Sequence, residues 1–407
     1  MGKGKKTRDL ILGTALEVFR ERRYGNSSVN EIAKRLGVRT SLVYYYFANK
    51  EDIFKELAIT YRDGLEEEIR QHMSLEGSLL ENVINILVTY KDYIRNHKDL
   101  YDTFREMEFV EKDLIRDYYK RITHLIAQVL PTDFSKLYDL ETLAFAILGS
   151  VYFVVIKNLI WENKDDIGQE LETVKIFLDK GIDIDGTFTP FIVPEIPVEN
   201  QEPQFASRGE RTKYQLLKAG EKLFGEKGFE QTQLTEVTSE AGVGLGTFYL
   251  YFESKTELLA EIVRYVNHTL RKTSRIYQDG LNDRRAIENV GFQAFYYLFK
   301  NMGPAYRIVR EAEFVERNIG IWYYTRLAEG YTKGLIQGME NKQIKPMDPE
   351  VLAYILMGVS HTTGIKWFVL DECKEVDHDS VLTVLELVMH GLSGMERKVR
   401  DELQRNL

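Results

Sequence analysis

One segment is written twice in this chain, 205 residues apart and with no gap. Asn30-Glu31-Ile32-Ala33-Lys34-Arg35-Leu36-Gly37-Val38 runs on through Tyr44-Tyr45-Tyr46-Phe47 to Asn49-Lys50. Thr235-Glu236-Val237-Thr238-Ser239-Glu240-Ala241-Gly242-Val243 runs on through Tyr249-Leu250-Tyr251-Phe252 to Ser254-Lys255. A repeat constrains the fold before any other feature, because its copies must fold alike. Identical pairs include Thr7/Thr212, Leu12/Leu217, Phe19/Phe224, Gly37/Gly242, Tyr44/Tyr249 and Lys50/Lys255. The same register carries Arg105–Glu111 onto Arg310–Glu316, and Tyr118-Tyr119 onto Tyr323-Tyr324. The offset then grows by a few residues, so that Gly149 meets Gly358 and Gly181 meets Gly391. One match can arise by chance; four in order do not. A unit of about 200 residues, a usual domain size, therefore occurs twice.

Between the copies, Pro190, Pro194, Pro197 and Pro203 make up half of the eight prolines in the chain. They preclude a helix and favour an extended strap at ~3.1 Å per residue, enough for roughly 75 Å of reach. A flexible tether between independent units is the alternative. Four further observations bound the function. The only cysteine, Cys373, forbids an internal disulfide and suits a reducing cytoplasm. Seven histidines without clustered ligands offer no metal site, and no cofactor motif is present. The lysines at the N-terminus precede no apolar run, so no signal peptide is expected. The apolar run Leu143–Ile156 is too short to span a bilayer and reads as a buried helix, so no membrane partner is expected. The net charge of −9 argues against nucleic acid until its distribution is considered. Residues 1–55 hold 12 Lys/Arg against 6 Asp/Glu, and residues 206–260 hold 7 against 8. The first motif lies in a basic patch on an acidic protein; the second does not.

Apolar residues recur at helical spacing almost throughout, as in Leu10, Ile11, Ala15, Val18 and Phe19, so the expected fold class is all-α. Ser28 and Glu31 have the spacing of a capping box, which Gln233 in the second copy is expected to lose. Gly37 and Gly242 mark a turn. A second short helix follows, over roughly Arg39–Tyr46 and Gly244–Tyr251, and Asn49 and Ser254 then cap a longer one. Two helices joined by a glycine turn, the second presenting its start outward, form a helix-turn-helix, which places that second helix in the DNA major groove.

The pattern Val29-x-x-Ile32-Ala33-x-x-Leu36-Gly37-Val38, followed by Tyr44-x-Tyr46-Phe47-x-Asn49-Lys50-Glu51, closely resembles the signature of the TetR family. Leu234-x-x-Val237-x-x-x-Ala241-Gly242-Val243, followed by Gly246-Thr247-Phe248-Tyr249-x-Tyr251-Phe252-x-Ser254-Lys255, resembles it equally. The resemblance covers about 50 residues per unit. It implies two tandem units, each a three-helix DNA-binding head with a larger helical body that binds a small molecule and dimerises through its last two helices. The expected organisation is residues 1–55 first head, 56–183 first body, 184–206 linker, 207–260 second head and 261–407 second body.

Recognition-helix starts read base edges. The candidate DNA-contacting residues are therefore Arg39, Thr40 and Ser41 with Tyr45 in the first head, and Gly244, Leu245 and Thr247 in the second. The resemblance adds Tyr44, Lys50, Tyr249 and Lys255 as phosphate contacts. Ser28 can serve at its own helix start. Lys5, Lys6 and Arg8, with Lys3, form a basic arm for the backbone or minor groove, or else a disordered tail. Core packing is the alternative for Tyr44 and Tyr249, while Tyr46, Tyr251, Phe47 and Phe252 are read as core. Glu240 and Glu253 replace Arg35 and Ala48, so the second head is expected to contribute less, and a degenerate second head is the rival reading.

In the bodies, Tyr93, Phe104, Glu108, Tyr118, Tyr297, Tyr306, Glu313 and Tyr323 are the candidate ligand contacts. A local ion-pair network is the alternative for the repeated Arg-Glu-x-Glu-Phe-Val-Glu. The small-among-large helices Leu143–Gly149 and Val351–Gly358 suit close helix–helix contact. The natural partner of each unit is the other copy, giving an intramolecular pseudo-dimer that the linker favours by raising effective concentration; a further homodimer stays open. The sequence leads to a non-enzymatic, ligand-released repressor on double-stranded DNA with an imperfect palindrome. Its alternative is a ligand-binding or protein-interaction module with one or both heads degenerate.

Overall fold

The computed structural model describes residues 3–196, 205–372 and 375–405. Pro197, Pro203 and Cys373 lie outside the described residues. Eighteen α-helices and no strand occur among those described. The first nine are α1 Lys3–Arg22, α2 Val29–Leu36, α3 Thr40–Tyr46, α4 Lys50–His72, α5 Leu79–Asn96, α6 Lys98–Glu106, α7 Lys112–Val129, α8 Leu140–Val155 and α9 Gly168–Lys180. The second nine repeat them in order: α10 Arg208–Lys227, α11 Leu234–Glu240, α12 Leu245–Phe248, α13 Lys255–Gln278, α14 Arg284–Asn301, α15 Gly303–Val315, α16 Arg317–Glu340, α17 Pro349–Gly364 and α18 His378–Arg405.

Local chemistry sets several helix starts. The Asn49 side chain accepts from the Asp52 N–H at 2.8 Å, and Ser254 from the Glu257 N–H at 3.1 Å. Such caps contribute about 1 kcal/mol each. Ser28 accepts from the Glu31 N–H at 3.2 Å, while the Glu31 carboxylate pairs with Arg22. The second copy does not lose its reciprocal arm as expected: Glu236 accepts the Gln233 N–H at 3.0 Å. A longer amide cap at this position still leaves the glutamate free to fold back.

The two units meet along α8 and α17, flanked by α9 and α18. Gly149 and Gly358 face each other there, and a Cβ on either would overlap the carbonyl of the other. The Thr362 hydroxyl donates to the Phe145 carbonyl at 2.7 Å across the same seam. Asp139 at the start of α8 accepts from the Ser380 hydroxyl of α18 at 2.7 Å. Leu143, Phe145, Ile147, Leu148 and Val151 are buried here, each removing apolar surface that contributes about 1.5–3 kcal/mol.

The helix that holds the apolar run Leu143–Ile156 extends beyond it. It continues through a widened turn to Trp161, where the Glu162 N–H donates to the Lys157 carbonyl at 2.9 Å. At 22 residues it is long and apolar enough to cross a membrane, yet 94% of its apolar window is buried inside the protein. Lys157 does not end it, because its ammonium pairs with Glu162 and Glu350.

Residues 184–196 form no regular structure and lie along α14. The Phe191 N–H donates to Asn289, the Val193 N–H to Gln293, and the Tyr297 hydroxyl to the Val193 carbonyl, at 2.8–3.1 Å. The acceptors and donor recur every fourth residue, which keeps them on one helix face. This part of the linker is docked rather than free.

Candidate nucleic-acid interface and ligand cavity

Both heads turn between their short helices at a left-handed glycine, Gly37 at φ 73° and Gly242 at φ 69°. Other residues meet a steric cost of roughly 1–2 kcal/mol there. Arg39 caps α3 and is exposed, as is Ser41, while Thr40 is half-buried and its hydroxyl donates to Asn30 at 3.0 Å. Arg39 makes no ion pair among the described residues. Tyr44 and Tyr45 are 53% and 79% exposed, and Tyr249 and Leu250 are 54% and 78% exposed. Core packing is therefore not the role of Tyr44 or Tyr249. Leu250, absent from the sequence candidates, stands where the first head has Tyr45, and that register was the available signal. Phe47 and Phe252 are buried, but Tyr46 and Tyr251, read as core, are half-buried.

The second recognition helix stops at Phe248, not Tyr251. Gly246 lies within it, and a glycine inside a helix is ~0.8–1 kcal/mol less favourable than alanine. Gly244 and Leu245 are exposed and Thr247 is half-buried.

Other candidates are already engaged. Lys50 donates to the carbonyls of Tyr24 and Ser27 at 2.6 and 3.0 Å, and lies 4.0 Å from the centre of the Tyr24 ring. Lys255 repeats this with Phe229 and Thr232 at 2.8 and 3.0 Å. Burial lowers both ammonium pKa values. Two of three N–H donors thus clip the preceding turn to the start of the next helix, and one remains. Arg8 pairs with Glu56 and stands over the Phe47 ring. Lys5 and Lys6 are exposed on the first turns of α1, so the expected arm is helix over its described length. Ser28 is exposed.

The repeated Arg-Glu-x-Glu segment joins heads and bodies. Glu106 accepts the Tyr24 N–H at 3.0 and 3.1 Å, and Glu311 accepts the Phe229 N–H at 3.1 Å. Burial pushes the Glu106 carboxyl up to about 7 and also raises Glu311. The remaining charges pair across the units. Arg105 grips Glu313 through two bonds of 2.9 and 2.7 Å, and Arg310 pairs with Glu108. Phe109 and Phe314 meet beside them, ring centres 5.6 Å apart.

The eight ligand candidates separate into four places. Phe104, Glu108, Tyr118 and Glu313 border a crevice of about 30 Å³ between the units, room for two or three waters at ~10–15 Å³ each. Tyr306 and Tyr323 line a cavity of about 250 Å³ in the second body, with Phe295, Val309 and Tyr324. Tyr93 and Tyr297 are off both. Tyr93 stacks on His97 against α4, and Tyr297 stacks on Tyr277 with its hydroxyl held by the linker. His361 of α17 borders both spaces; burial beside Arg310 and Arg105 pushes its imidazole well below its ordinary pKa.

A model of bacterial regulatory proteins of the tetR family matches residues 11–57 and again 216–262, covering both heads. A TetR-type helix-turn-helix segment thus occurs twice in tandem, once in each head. It is similar to the transcriptional regulator YdgC of Bacillus subtilis, 35% identical over 86 residues, which is 21% of this chain and 44% of YdgC. Against YhgD of the same organism it is 27% identical over 185 residues, 44% of this chain and 95% of YhgD. The chain thus spans less than half of the first relative and nearly all of the second. A solved structure of the fatty acid degradation regulator FadR from Bacillus halodurans is 18% identical with a TM-score of 0.40, covering 44% of this chain and 96% of that one.

Proposed function

We propose that this chain regulates transcription by binding double-stranded DNA as a single-chain pseudo-dimer, as a repressor that a small molecule releases. The observation that carries the reading is the matching exposure of Tyr44/Tyr45 on the first recognition helix and Tyr249/Leu250 just after the second, in heads whose bodies are joined by exchanged ion pairs. Two such heads read half-sites about one helical turn apart. The heads are unlike: Arg39 and Ser41 face out in one, Gly244 and Leu245 in the other. The operator is accordingly an imperfect palindrome, with Arg39, Thr40, Ser41, Tyr44 and Tyr45 reading one half-site and Leu245, Thr247 and Tyr249 the other.

Release follows from the placement of α15. Tyr306 and Val309 on this helix line the cavity, while Glu311 holds the second head's turn. A ligand that shifts α15 moves that head and, through Arg310 and Glu313, the first unit. It acts only by binding one arrangement better than the other.

Selection of sequences bound by the full chain, followed by footprinting, tests this. The expected result is two unlike half-sites, with affinity falling steeply as salt rises. A footprint of one half-site favours the second reading, a degenerate second head, for which the four-residue α12 and the carboxylates Glu240 and Glu253 speak. Absence of any preferred sequence overturns the proposal.

A further inference from the structure

The two bodies share one fold but not one interior. In the first, Tyr61 lies 4.7 Å from Phe104 and 5.4 Å from Tyr101 between ring centres, and Ile69, Ile86 and Leu125 are also buried. At the matching positions of the second body stand Val266, Val309, Tyr306, Ser274, Gly291 and Gly330. Two rings are lost, two branched aliphatic residues become glycine and one becomes serine. All of these but Val266 line the cavity of about 250 Å³, far beyond the ~10–15 Å³ that one water needs. A Cβ on Gly330 would meet nothing within 4 Å, and one on Gly291 only the Gln278 amide at 3.6 Å.

Three acidic positions at the cavity's edge have become basic or histidine as well, while Arg70 is kept as Arg275. The outer face of α4 carries Asp63, Glu66 and Glu67, and Glu66 is paired with Arg121 and Arg70 at 2.8 and 2.7 Å. The matching face of α13 carries His268, Arg271 and Lys272, followed by Arg275. Arg271 and Arg275 line the cavity and also a surface groove with His268, Lys272 and Asp279. Neither arginine makes an ion pair with a described residue. Arg284, also on the wall, is already paired with Glu288. Unpaired guanidinium groups beside apolar walls fit a ligand with an apolar body and a carboxylate or phosphate end.

We infer that the second body alone takes the effector, one amphipathic anion per chain, while the first body is a solid scaffold closed by its aromatic core. The apolar part fills the space between Phe295, Tyr306, Tyr323 and Tyr324, and the charged end meets Arg271 and Arg275. This rests on the regulator reading for its consequence, a single input governing two heads, but binding can be measured without it.

Titration calorimetry of the full chain with dodecanoate, dodecanoyl-coenzyme A and 1-dodecanol tests the inference. One molecule of the acid or the thioester should bind per chain, and the alcohol should bind at least tenfold more weakly. Which of the two anions binds tighter tells carboxylate from phosphate recognition, and either supports the assignment. Arg271→Gln with Arg275→Gln should weaken the anion roughly tenfold to hundredfold. Gly291→Ile with Gly330→Leu, restoring the first body's residues, should abolish binding while leaving the circular dichroism melt intact. Two molecules per chain, equal affinity for the alcohol, full binding by a folded glycine double variant, or no binding by any probe would overturn the inference. A gel shift on the same samples separates the two readings. DNA binding without anion binding sinks only the pocket assignment, and anion binding without DNA binding sinks only the regulator.

Discussion

Glu106 shows how one buried carboxyl ties stability to pH. It sits under the α1–α2 turn with its proton held up to about 7, against an ordinary 4.5. The folded state therefore keeps a proton that the unfolded chain has lost between those values. Its contribution falls as pH rises from about 4.5 to 7, by up to about 3 kcal/mol, and is level above. Glu106→Gln keeps an oxygen for the Tyr24 N–H and removes the titration. Thermal melts of this variant should be flatter than those of the parent across that window. Arg39 belongs to the same scale. Its exposed guanidinium has no described partner, so Arg39→Ala should leave the melt unchanged and weaken DNA binding by about 1–3 kcal/mol at one half-site. Leu245→Ala should cost less, and equal losses in a gel shift would count against unlike heads.

At the scale of elements, glycines with different surroundings predict opposite outcomes. Gly149 and Gly358 let α8 and α17 approach until backbone meets backbone. Gly358→Ala must push the helices apart, at about 1–3 kcal/mol and a melting temperature lower by several degrees. Gly330→Ala, on an open helix face, should be neutral or stabilise by up to about 1 kcal/mol. The linker is likewise a matter of elements. Asn289→Ala with Gln293→Ala removes side-chain anchors of residues 191–193, so limited proteolysis between residues 184 and 196 should quicken.

For the whole molecule, the exchanged pairs decide how the halves hold together. Arg105 and Glu313 are buried, so deleting one partner strands a charge. Arg105→Ala should destabilise by roughly 3–5 kcal/mol, whereas Arg105→Met with Glu313→Leu should lose much less. A double-mutant cycle read by chemical denaturation checks this. Because each pair bridges the units, the same variants should alter the spacing of the heads and hence the preferred separation of half-sites in a selection experiment.

Much of this molecule was open to reading along the chain. The duplication, the helical period, the glycine turns and the caps at Asn49 and Ser254 are local, because each depends on residues a few positions apart or on the comparison of two strings. The exposed start of α3 followed from the same local rules. What lay beyond them depended on which distant groups meet. Lys50 looks like a free cation until two carbonyls of an earlier turn surround it, and Arg105 and Glu108 look like neighbours on a helix until each takes its partner from the opposite unit. The cavity is the clearest case. Gly291 and Gly330 are 39 residues apart in the chain, and only packing α14 against α16 turns two missing side chains into one shared space. Volume and burial belong to the assembled interior, so a single string can name the residues that leave a hole but not that the holes coincide.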